Sequence, residues 1–119
     1  MKLYALITAG LCTSLPAYAD PPEIIDVSAK KSGMGWRFDV TLKHPDTGWD
    51  HYADGWEVLD GQGNQLGYRV LHHPHVNEQP FTRSLSSVML PDGTREVFVR
   101  ARCTEGSWTP EPVRVTLNR

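Results

Sequence analysis

The sequence predicts an all-β domain: one antiparallel two-sheet sandwich behind a cleaved N-terminal segment. Two stretches alternate with a period of two. Trp36, Phe38, Val40 and Leu42 interleave with Arg37, Asp39, Thr41 and Lys43, and Val97, Val99, Ala101 and Cys103 interleave with Phe98, Arg100 and Arg102. That period places apolar side chains on one buried face of a strand. Glycine- and proline-containing turns punctuate the chain between such stretches, and no segment has a convincing helical pattern. Seven or so short strands in about 100 residues imply a sandwich.

Residues 1–19 read as a secretory signal and 20–119 as the mature domain. Lys2 supplies the positive start. Residues 3–15 are apolar apart from Thr8, Gly10, Thr13 and Ser14, Pro16 breaks the run, and Ala17-Tyr18-Ala19 is a small-x-small cleavage site before Asp20. The apolar run is shorter than the roughly 20 residues a membrane span needs. Cys12 is preceded by the bulky Leu11, which argues against a lipid-attachment site. The single-lysine start points to the periplasm, with secretion as the alternative address.

The first strand is expected over 24–29, ending in the turn Ser32-Gly33-Met34-Gly35. The second covers 36–43, and a long polar loop runs from His44 to Gly55. Residues 56–59 and 65–71 flank Asp60-Gly61-Gln62-Gly63-Asn64, a glycine-rich hairpin. A second loop spans 72–80, a strand follows over 81–90, and Pro91-Asp92-Gly93-Thr94 turns the chain into the strand ending at Cys103. Val113, Val115 and Leu117 close the domain, and Pro110 and Pro112 mark that strand as an edge.

Val97-Phe98-Val99-Arg100-Ala101-Arg102-Cys103, the Gly106 turn, Ser107-Trp108-Thr109-Pro110 and Val113-Arg114-Val115-Thr116 together resemble the final hairpin of fibronectin type III and related immunoglobulin-like domains. Trp36 fits the core tryptophan of such a fold. The inter-sheet cysteine pair of antibody domains is missing, with Val40 on the facing strand. The resemblance implies an architecture and carries no activity with it.

The net charge is −2, and one unit more negative once Lys2 is removed. With no basic patch, a nucleic-acid partner is not expected, and no later segment is long enough to span a membrane. Cys103 is the one cysteine left after processing, so the mature chain has no intrachain disulfide.

All five histidines lie in the two long loops. Pro74 keeps 72–75 extended, which turns His73 and His75 to one side and His72 to the other. Two imidazoles so placed can chelate one ion, with His51 and His44 completing the set and carboxylates such as Asp50, Asp54 and Glu78 nearby. Imidazole with carboxylate suits Zn²⁺ or Cu²⁺. The plainer alternative is that His44 and His72 only shape loop ends. Cys103 reads as a small buried core residue, or as a thiolate ligand if its strand end meets the histidine loops. Arg83 is expected to pair with Glu78 or a loop aspartate.

Trp49 and Tyr52 support a different use of the same surface, comprising Trp49, Asp50, Tyr52, Asp54, His72, Glu78 and Arg83. Without metal, it could grip an envelope protein or stack on a glycan. A third expectation is an accessory subunit of an envelope complex, with strand 113–117 offered as an edge. Thr104-Glu105-Gly106-Ser107 lacks the histidine and methionine that follow a cupredoxin's ligand cysteine. No G-x-S-x-G, H-E-x-x-H or nucleotide-binding loop occurs. The sequence therefore points to a binding module rather than an enzyme.

Overall fold

The computed structural model describes residues 20–118; the expected signal segment lies outside them. Seven strands form: β1 (Glu23–Ser32), β2 (Gly35–Lys43), β3 (Ala53–Leu59), β4 (Gln65–Val70), β5 (Phe81–Val88), β6 (Glu96–Cys103) and β7 (Val113–Thr116). They make a three-stranded sheet, β1-β2-β5, and a four-stranded sheet, β4-β3-β6-β7, with every pairing antiparallel. The all-β two-sheet architecture is the expected one, and β7 lies at an edge as its prolines imply.

The core follows the period-two pattern. Trp36, Phe38, Val40 and Leu42 of β2 meet Val97, Val99 and Ala101 of β6 in one buried cluster with Trp56 and Val58 of β3. Each such side chain removed from water contributes about 1.5–3 kcal/mol. β3 is buried on both faces: Trp56 and Val58 join the core, while on the other face the Tyr68 ring lies against Gly55 and Arg100 and Gln65 cover Glu57. Glu57 there is only 4% exposed, held by Arg100 at 2.6 Å and by Gln65 at 2.7 Å.

Three strand bounds depart from the sequence expectation by more than one residue, for local reasons. β1 runs on to Ser32, because Gly33 (φ 59°) and Met34 turn the chain tightly enough to pair Ser32 with Gly35. β5 stops at Val88, where Ser87 has a φ of 61° and the pairing with β2 shifts register. β3 begins three residues early, at Ala53, which pairs with Cys103 of β6.

The register fixes where the loops go. Glu23 pairs with Lys43, Leu42 with Phe81, Gly55 with Val70 and Ala53 with Cys103. The start of β1, the sheet-crossing loops after β2 and after β4, and the turn after β6 therefore gather at one end of the sandwich. All five histidines and Cys103 belong to that end.

Candidate functional site

At this end the carboxylate of Asp46 is fully buried and takes three donors. Its Oδ1 accepts from the Ala53 amide at 3.0 Å and from His44 Nδ1 at 2.6 Å, and its Oδ2 accepts from the His75 amide at 2.7 Å. A buried carboxylate is tolerated only when so satisfied. Asp46 thus ties the first loop to the start of β3 and to the second loop. Gln79 adds a second tie: its Oε1 accepts from the His44 amide at 3.0 Å, and its Nε2 donates to the His75 carbonyl at 2.9 Å.

The first loop folds back on itself. The Thr47 amide donates to the His51 carbonyl and the His51 amide to the Gly48 carbonyl, while the Thr104 hydroxyl accepts from the Tyr52 amide. This turn lays the His51 ring edge-on to His44, with centroids 4.8 Å apart and planes at 80°. Cys103, the last residue of β6, has no exposure at all. A ring nitrogen from each of His44 and His51 and the Cys103 sulfur lie within 4.8 Å of one another. His51 Nε2 is buried and has no hydrogen-bond partner. His44 Nε2 faces the Asp20 carbonyl at 2.9 Å, an oxygen that only accepts, so this nitrogen carries a proton there.

The second loop places its histidines differently. His72 and His73 are exposed, and His73 Nδ1 contacts the neighbouring Pro74 carbonyl at 3.2 Å. His75 is buried, stacked on Phe81 with centroids 3.9 Å apart, and its ring lies 4.6 Å from that of His73. Arg83 donates to His75 Nε2 at 2.9 Å and to Glu78 at 3.2 Å. The His75 proton therefore sits on Nδ1, which lacks a hydrogen-bond partner and lies 4.0 Å from Asp46 Oδ2. Burial, then the Arg83 charge, then His73 hold the His75 pKa below the ordinary imidazole value.

Trp49 stands 69% exposed, edge-on to Tyr52 with centroids 5.8 Å apart. It borders an open groove lined by His73, Pro74, Val76, Asn77 and Glu78. Asp50 is exposed beside it, whereas Asp54 pairs with Arg102 at 3.1 Å. Neither Asp50, Asp54 nor Glu78 belongs to the His44–His51–Cys103 cluster. Sequence reasoning did not single out Asp46 or Gln79. The one available signal was an acidic residue two positions beyond a histidine at a strand end, and it is weak without the fold.

Among the described residues no helix is long and apolar enough to cross a membrane. Over 78 residues the chain is 44% identical to a protein of Halomicrobium mukohataei named "Putative lipoprotein", an alignment covering 65% of this chain and 38% of that protein. Over 104 residues it is 31% identical to the siroheme decarboxylase beta subunit of Desulfovibrio desulfuricans, covering 78% of this chain and 63% of that one. The chain thus spans less than two thirds of either relative. No family profile and no solved structure matches it.

Two outcomes follow from this geometry. Asp46→Asn sets an amide against the hydrogen-bond donors that Asp46 satisfies, and is expected to cost about 3–5 kcal/mol, read as a lower urea midpoint; an unchanged midpoint would remove Asp46 from its tying role. Because the folded state disfavours protonated His75, the unfolded chain binds more protons below about pH 6.5, so stability is full above that pH and falls as pH drops toward the depressed folded value. In His75→Phe, which keeps the stack on Phe81, the denaturation midpoint is expected to fall less steeply over that window; an equal slope would contradict the assignment.

Proposed function

We propose that this chain is a small exported module that binds one transition-metal ion, zinc or copper, through His44, His51 and Cys103. The observation that carries this reading is the convergence of two imidazole nitrogens and a thiol, with His44 and Cys103 buried and His51 half-buried, together with a His51 Nε2 that is buried without a partner. Such a nitrogen loses its hydrogen bond to water on folding, and a metal ion restores a partner. Imidazole and thiolate together suit zinc and copper. Bonds of about 2.0–2.3 Å put ligand atoms roughly 3.3–3.8 Å apart, so the site closes by ~1 Å on loading. Asp46 holds His44 Nδ1 as carboxylates hold metal-bound histidines, leaving Nε2, which faces the Asp20 carbonyl, to take the ion in place of its proton.

Export is supported by the pattern of 1–19 and by the lipoprotein name of one relative, and the periplasm is our preferred address. The three-plus-four strand arrangement supports a sandwich of the fibronectin type III kind. We read the module as non-catalytic, since full burial of Cys103 keeps its thiol from a substrate. The exposed Trp49 beside Tyr52 favours a second reading, in which this end contacts an envelope protein or a glycan.

Protein stripped with a chelator and then given Zn²⁺ or Cu²⁺ at about 100 times the dissociation constant should gain about 2.7 kcal/mol, several degrees in melting temperature. His51→Ala and Cys103→Ala should each lose that gain while still melting cooperatively, and His73→Ala should keep it. A flat response to both ions would overturn the metal reading; a gain lost in His73→Ala would move the site to the second loop.

A further inference from the structure

We infer that the ion is copper, held as a trigonal copper–thiolate centre by His44, His51 and Cys103 with the Asp20 main-chain oxygen as a weak fourth contact. This inference rests on the metal reading above and separates copper from zinc by the number and kind of donors.

Two imidazoles and one thiolate are the donors that converge. The polar groups around them are already engaged. Both Asp46 oxygens hold donors, both ends of the Gln79 amide bridge the two loops, and the Thr104 hydroxyl accepts from Tyr52 and donates to the Asp50 carbonyl. A structural zinc takes four full ligands, and a catalytic zinc keeps its fourth position open to water. Neither condition suits this site. No fourth strong donor among the described residues joins the cluster, and two of its three members, Cys103 and His44, are 0% and 1% exposed, with only His51 half-buried toward solvent.

Copper suits the same set. Two histidines and a cysteine in a plane, with a long weak axial contact that a main-chain oxygen can supply, form a known stable copper environment. The Asp20 carbonyl already faces His44 Nε2 at 2.9 Å and need only retreat as the ion replaces the proton between them. The proton leaves to solvent, as does that of the Cys103 thiol.

A closed ligand set is also one that changes little when copper changes oxidation state. One electron converts Cu(II) to Cu(I) while the two Cu–N bonds and the Cu–S bond remain. That electron comes from a one-electron carrier protein meeting the exposed loops. Around the cluster, the strand ends, Asp46 and Gln79 hold the ligands in place, which keeps the reorganisation small.

The test uses the purified chain, stripped of metal and titrated with Cu(II) and, separately, Zn(II). The expected result is one copper per chain with an intense visible thiolate-to-copper absorption, bleached by ascorbate and restored by ferricyanide. Cys103→Ala should abolish that band, and His51→Ala should abolish it or shift it strongly, each with unchanged circular dichroism. If Zn(II) stabilises the chain through His51 and Cys103 but Cu(II) gives only the weak absorption of a nitrogen and oxygen site, the copper inference is overturned and the metal reading stands. If neither ion stabilises the chain, both fall.

Discussion

The histidine end depends on the burial of one carboxylate. Asp46 lies out of water on a loop between sheets, where an ionised group without partners is untenable. Satisfying it requires the start of β3, the first loop and the second loop to meet at one point. The crossing loops therefore have little freedom to open independently. His44 is oriented as a consequence, since its Nδ1 is held by Asp46 and its Nε2 by Asp20. A ring fixed at both nitrogens is preorganised, and only the Asp20 contact has to be exchanged to offer a lone pair inward.

The sheets supply the rest of the geometry. Of the three crossings between sheets, those after β2 and after β4 fall at the same end, and the register of β3 with β6 brings Cys103 there as well. His44 extends β2, His51 rides on the turn before β3, and Cys103 ends β6. Three separate segments thus converge without any local sequence motif. Rigid strand ends locate two of the three side chains, and the turn closed by Thr47, Gly48 and His51 locates the third.

Much of the fold was legible because the period of two reports burial directly. The alternation in 36–43 and 97–103 identifies two of the strands that face each other across the core, and the prolines before 113 identify the edge. β3 was harder to delimit: burial on both faces erases the alternation, and Glu57 appears as a polar interruption although it is buried and paired with Arg100. The candidate site was legible in part. Confinement of the histidines to two loops pointed to the end where His44, His51 and Cys103 converge, and Cys103 was a conditional member. The spacing of His73 and His75 drew attention within the second loop, where the His75 ring is engaged by Arg83. The alliance of His44 and His51 with Cys103, more than fifty positions away in sequence, is set by strand register, which no short spacing encodes. Asp46 escaped notice for the same reason, since an aspartate in a polar loop reads as solvated until the fold closes over it.

The most direct test of the account is to locate the ion. Crystals of the protein loaded with zinc or copper, measured at the absorption edge of the metal, should give one anomalous peak within about 2.0–2.3 Å of a ring nitrogen of His44, a ring nitrogen of His51 and the Cys103 sulfur. A peak at His73 and His75, or none in crystals of protein that retains one ion per chain, would contradict it.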